Sequence, residues 1–179
     1  AERKVIWVHA VSVGETVAAV PLIRRLQECY PNHQVAVTNT TPTGSERVRA
    51  MLGDSVYHCY TPYDLPCALA RAVTRLHPDM LIIMETELWP NLIHHCQRRD
   101  IPVVVANARL SAKSARGYQR FSWLSSPMLR DITLVAAQYP EDGQRFVHLG
   151  LPADRLRVTG NIKFDLTFSP EQQQLAERL

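Results

Sequence analysis

Glycine-rich phosphate loops are missing from this chain. The segment after the first strand-like run contains neither G-x-G-x-x-G nor G-x-x-x-x-G-K-[ST], so neither a dinucleotide fingerprint nor P-loop chemistry is signalled there. Cysteine is sparse. Cys29, Cys59, Cys67 and Cys96 form no C-x-x-C pair, which reads as reduced, mostly packed thiols of a cytosolic chain rather than a disulfide framework or zinc site. Long apolar runs are also missing: Met80–Met84 is typical, against the roughly 18 residues needed to cross a bilayer. The chain opens on Ala-Glu-Arg-Lys and passes straight into strand-like sequence, without a signal-peptide pattern. An opening Ala in place of Met reads as the trace of a removed N-terminal piece. Charge of neither sign dominates. The 20 Lys+Arg against 17 Asp+Glu give +3, too little to make nucleic acid the main partner. His94-His95 diverge by about 100° on a helix and cannot share one metal, and His58-Cys59 with Cys67 lack further ligands. No metal and no cofactor are expected.

What is present is the composition of one packed domain, 46% hydrophobic over 179 residues. Strand-like runs lie at Val5–Ala10, Gln34–Asn39, Ser55–Tyr60, Met80–Met84, Pro102–Asn107, Thr133–Ala137 and Arg155–Thr159. Helix-permissive stretches separate them at βαβ spacing. Continuous apolar strands such as Val103-Val104-Val105-Ala106 mark parallel strands covered on both faces. In the first crossover, Val17, Val20, Ile23 and Leu26 form an apolar stripe that Pro21 interrupts. A kinked first turn, or a regular helix beginning near Ala18, is therefore expected. The fold class is α/β, a Rossmann-like open parallel sheet with helices on both faces.

Ligands of such sheets bind beyond the carboxyl ends of the strands, and the segments there are rich in polar groups. Strand one leads into His9-Ala10-Val11-Ser12-Val13-Gly14-Glu15, strand two into Thr40-Thr41-Pro42-Thr43-Gly44, and strand four into Glu85-Thr86-Glu87-Leu88-Trp89-Pro90. Glu15, at the mouth of the first crossover helix, would be held ionised by the helix dipole and suits a general base. Acidic residues also stand in first helical turns simply as caps. Glu85 and Glu87 would share a face by strand alternation, so that repulsion raises one pKa; alternatively, one caps the helix that begins at Trp89-Pro90. Arg109 precedes Lys113, Arg116 and Arg120, a basic stripe opposite Phe121, Leu124 and Met128, which are expected to be buried. The stripe suits phosphate groups or is only a solvated face.

Taken in order, HAVSVGE (9–15), ETELWPN (85–91), Asn107-Ala108-Arg109-Leu110-Ser111 and Gly160-Asn161-Ile162-Lys163-Phe164-Asp165 resemble the 3-deoxy-D-manno-octulosonic acid (Kdo) transferases of Gram-negative bacteria over nearly the whole chain. The resemblance implies the N-terminal, acceptor-side half of a two-domain GT-B glycosyltransferase, residues 1–168. Residues 169–179 would open the inter-domain link, with the C-terminal nucleotide-binding domain and the N-terminal membrane anchor absent. It implies inverting transfer of Kdo from CMP-Kdo to the lipid A precursor in lipopolysaccharide inner-core synthesis, at the cytoplasmic face of the inner membrane. Carried onto matching positions, the base falls on Glu15, and transition-state stabilisers fall on Glu85 and Lys163. Thr41, Gly44, Glu87, Arg109, Ser111, Lys113 and Arg116 are acceptor-contact candidates. The partners implied are CMP-Kdo, the lipid A precursor and a membrane surface. A different GT-B relative, such as a nucleotide-sugar epimerase, and a non-catalytic binding module are the competing readings.

Overall fold

The computed structural model describes residues 4–162. In chain order these form β1 (Lys4–His9), α1 (Val13–Cys29), β2 (His33–Asn39), α2 (Pro42–Leu52), β3 (Tyr57–Tyr60), α3 (Pro66–Leu76), β4 (Pro78–Met84), α4 (Pro90–Gln97), β5 (Val103–Ala108), α5 (Ala112–Arg120), α6 (Ser122–Arg130), β6 (Leu134–Ala137), α7 (Pro140–His148) and β7 (Leu156–Val158). The seven strands make one sheet in the order β3-β2-β1-β4-β5-β6-β7, and every pairing is parallel. The expected α/β sheet is therefore found, with strand ends moved by a residue or two. Lys163 and the expected link at 169–179 lie outside the described residues.

Alternation along the central strands explains the two-layer covering. Ile6 and Val8 of β1 join Ile82 and Met84 of β4 in a core with Ala18, Ala19 and Ile23 of α1 and Val48 of α2. Trp7, Leu81 and Ile83 point the other way, into a core with Leu69 of α3, Leu92 of α4, Leu129 of α6 and Phe146 of α7. Each of the buried Val, Ile, Leu, Met and Phe side chains contributes about 1.5–3 kcal/mol of hydrophobic stabilisation. The four cysteines do not behave alike: Cys96 is buried and Cys59 half-buried, but Cys29 and Cys67 are exposed, so "mostly packed" does not hold.

Two helical expectations fail for local reasons. The first crossover helix begins at Val13, not near Ala18, because Ser12 caps it, and it runs on past Pro21. The proline removes one backbone donor, but the buried face from Ala18 to Ile23 holds the turn together. The stretch after Arg109 breaks at Phe121 (φ −113°, ψ 41°) into two helices. Phe121 and Leu124 are consequently exposed, and of the three expected apolar contacts only Met128 is buried.

Helix α4 has no cap from its own segment, since Trp89 stands at its N-cap without a side-chain bond. Asp64, in the loop after β3, supplies it. Its carboxylate accepts from Leu92 N at 3.0 Å and Asn91 N at 3.3 Å, and the Asn91 amide donates back to the Asp64 carbonyl at 2.9 Å. This long-range cap replaces the expected one from Glu85 or Glu87. Asp64→Ala should lower stability by about 1–2 kcal/mol in chemical denaturation, with Asp64→Asn intermediate; an unchanged midpoint would show that water serves those donors equally well.

Candidate functional site

The chain fills the sheet leftward from β1 to β3, then crosses back to place β4 on the other side of β1. The switch point therefore lies between β1 and β4, where doubly wound sheets open a crevice at their carboxyl edge. The segments that emerge there are Ala10–Glu15 and Glu85–Trp89.

Glu15 is buried at the start of α1, with 7% of its surface exposed. Ser12 Oγ accepts from Glu15 N at 3.2 Å and donates to Glu15 Oε1 at 2.7 Å, while Val11 N donates to Oε2 at 2.8 Å. This is a capping box whose carboxylate reaches back one residue further than usual. The capping alternative is thus realised in full. The expectation that Glu15 is simply held ionised is corrected. Burial pushes its pKa above the ordinary 4.5, the bonds from Ser12 and Val11 oppose that, and the charges of Glu87 and Glu85 add to it.

Glu85 and Glu87 lie beyond β4, Glu85 in a turn and Glu87 in the irregular stretch after it, so strand alternation does not govern them. Glu85 takes a left-handed backbone conformation (φ 55°) with its N–H on Ala106 O at 2.9 Å. Such a φ is uncommon for a residue with a Cβ. Glu87 Oε2 accepts from the Trp89 indole at 3.2 Å. The turn is tied to the β5 loop by Thr86 Oγ1, which donates to Arg109 O.

The other candidates spread along the same edge. Thr41 caps α2, accepting from Gly44 N at 3.1 Å, and a Cβ on Gly44 would stand 2.9 Å from Thr41 Oγ1 and 3.3 Å from Asn39 Nδ2. Ser111 caps α5 in the same way, accepting from Ser114 N at 3.1 Å. Arg109, Lys113, Arg116 and Arg120 are all exposed, the last three on a helix without a buried residue. Asn107, also left-handed (φ 53°), accepts from Ile162 N through Oδ1 at 3.1 Å. That bond brings the Gly160–Ile162 stretch to the end of β5. A mostly apolar groove of about 450 Å³ between α4, α5 and α6 is lined by Thr86, Pro90, Gly117, Tyr118, Phe121 and Met128. Burial and the Glu87 charge raise the Tyr118 pKa.

Sequence reasoning missed three residues that shape the site: Asp64, Trp89 and His9. Asp64 carries no local signal, because its partners are in α4. Trp89 and His9 stood inside quoted motifs, but only tertiary structure shows them in contact. Among the described residues, no three His, Cys, Asp or Glu side chains gather as metal ligands, and no helix is long and apolar enough to span a membrane.

The family model described as 3-deoxy-D-manno-octulosonic-acid transferase (kdotransferase) matches residues 1–166. The 3-deoxy-D-manno-octulosonic acid transferase of Haemophilus influenzae is 51% identical over 93% of this chain and 39% of its own length. That of Bordetella pertussis is 37% identical over 94% of this chain and 39% of its own length. The chain thus spans about two fifths of these relatives. Among solved structures, UDP-GlcNAc 2-epimerase from Neisseria meningitidis superposes with a TM-score of 0.64 at 17% identity, over 98% of this chain and 54% of that one. MurG from Acinetobacter baumannii gives 0.56 at 16% identity, over 88% and 46%. These two likenesses speak for the fold alone. The match over residues 1–166, with half of the aligned positions identical in one relative, settles the family: this chain belongs to the 3-deoxy-D-manno-octulosonic acid transferases.

Proposed function

We propose that this chain is the acceptor-side half of a two-domain GT-B enzyme that transfers Kdo with inversion from CMP-Kdo to the lipid A precursor in lipopolysaccharide synthesis. The observation that carries the reading is Glu15, buried at the switch point within the electrostatic reach of Glu85 and Glu87. A carboxylate raised towards neutral pH is a better proton acceptor than an ordinary one. In the proposed step, Glu15 takes the proton of an acceptor hydroxyl as its oxygen bonds to the anomeric carbon of Kdo. The bond from that carbon to the CMP phosphate oxygen breaks, and CMP leaves with the electron pair. Glu85 and Lys163 stabilise the charge that develops, Lys163 as a cation near anionic groups. The epimerase alternative has only shared fold in its favour.

The acceptor and a membrane surface are assigned to the α5–α6 side. Lys113, Arg116 and Arg120 precede exposed Phe121 (59%), Trp123 (74%) and Leu124 (42%), which combines cationic with aromatic groups as interfacial segments do. This supports a seat at the cytoplasmic face of the inner membrane. Arg109, Ser111, Glu87, Thr41 and Gly44 line the approach from that side and from α2.

In the full-length enzyme, Glu15→Gln should lower turnover by roughly 10²–10⁴-fold. The stability of the wild type should also change with pH in a defined direction. A raised carboxyl pKa means that the folded state binds its proton more tightly. Wild-type stability should therefore fall as pH rises from about 4.5 through the raised value, a slope that thermal melts of Glu15→Gln should lack. Normal turnover would sink the assignment.

Glu85→Gly relieves the left-handed backbone and should raise stability by about 1 kcal/mol while activity falls. Retained activity would leave Glu85 without a chemical role. Reversal of Lys113 and Arg116 to Glu should weaken binding to anionic vesicles, with a strong salt dependence in the wild type; unchanged binding returns the stripe to a solvated face.

A further inference from the structure

The Trp7 indole N–H donates to Thr38 Oγ1 at 2.9 Å, between two fully buried residues. The hydroxyl of Thr38 has one proton left to give, and His9 Nδ1 stands 3.0 Å away. Thr61 Oγ1 lies 3.2 Å from the same nitrogen. Two hydroxyls face Nδ1, each able to donate to it, and an accepting Nδ1 places the ring proton on Nε2. Nε2 is buried and has no hydrogen-bond partner among the described residues. What the imidazole does meet is the Trp89 indole, with ring centroids 4.9 Å apart and planes at 73°, an edge-to-face contact. Burial lowers the His9 pKa to about 4, so the ring is neutral near pH 7. The Trp89 indole N–H then reaches Glu87 Oε2, and the Glu87 charge is felt at Glu15.

We infer that His9 is a positioning residue, a buried imidazole that sets the Trp89 indole edge to face and thereby holds the Glu87 carboxylate at the mouth beside Glu15. The inference rests on Glu15 as the base. The residue type follows from the two demands. Phenylalanine would match the ring but leave the Thr38 and Thr61 hydroxyls without their acceptor. Asparagine would keep an acceptor and lose the ring that Trp89 packs on. Imidazole meets both.

The test is a double-mutant cycle in the full-length transferase with His9→Phe, Trp89→Phe and the pair. Each single change should lower kcat by about 10–100-fold, with a smaller effect on KM, since of the acceptor-side groups only Glu87 is displaced. The pair should be no worse than about twofold beyond the more damaging single, because both act through one contact. Multiplying effects, or a folded His9→Phe with normal kcat, would overturn the inference. Where His9→Phe does not fold, ¹⁵N spectra of His9 decide. A pyridine-like Nδ1 and pyrrole-like Nε2, mixed by Thr38→Val, support it; a proton on Nδ1 in the wild type overturns it. Glu15→Gln is assayed in parallel. Normal turnover there removes the base and this inference with it, whereas an inactive Glu15→Gln beside an unaffected His9→Phe removes only the positioning role.

Discussion

All seven strands point the same way, and most of what the molecule can do follows from that constraint. Parallel neighbours need crossovers, crossovers place helices on the faces, and both faces must then be apolar. β1 carries the largest burden. From Trp7 to Ala10 it exposes nothing to solvent, because β2 and β4 flank it and helices cover it above and below. Its register with β4 pairs His9 with Ile83. Two residues beyond that pair the chain enters Val11 on one side and Glu85 on the other. The three acidic groups of the crevice are thus brought together by strand pairing, before any side-chain contact is counted.

A second consequence lies in how the helices start. Each crossover helix begins at the edge where a ligand would sit, so the residues that cap it are also the residues nearest the ligand. Thr41 and Ser111 accept from the first-turn amides of α2 and α5, and Glu15 accepts from Val11 N and Ser12 Oγ at α1. Capping and catalysis are usually weighed as rivals for such a carboxylate. Here the geometry makes them compatible. The two donors fix the carboxyl in one orientation, which a base needs, and they lower the pKa only in part, because burial and two neighbouring carboxylates push the other way.

The sheet was legible because its signal is local. Runs such as Leu81-Ile82-Ile83 are apolar on both faces, and only a doubly covered strand needs that. The motif segments fell at the carboxyl edge for the same reason. Three readings went astray where the deciding contact is distant or conformational. Pro21 suggests a kinked first turn or a helix that starts near Ala18, but the capping box at Ser12 starts α1 at Val13 and the buried face carries it past the proline. Phe121, Leu124 and Met128 kept helical spacing across a break that spacing alone cannot reveal. Glu85 and Glu87 follow the strand in sequence and would share a face if its alternation continued, but a left-handed Glu85 ends that alternation at Met84. Asp64 and His9 left no trace of their roles, because their partners are 27 to 80 positions away.

Charge completes the argument for which side of the crevice does what. Glu15, Glu85 and Glu87 gather at the loops of β1 and β4, and each raises the cost of bringing an anion there. On the transferase reading the donor carries a carboxylate and a phosphate, so cations must stand close by. Among the described residues the nearby cations in sequence are Arg109 after β5 and the stripe of α5. Asn107 draws the Gly160–Ile162 stretch to that same side through Ile162 N. The acidic groups thus occupy the switch point and the basic ones the β5 side. On the proposed reading, a hydroxyl that gives its proton to Glu15 while its anionic partner is held from the β5 side would meet both demands, for a base and for charge compensation, without either group neutralising the other.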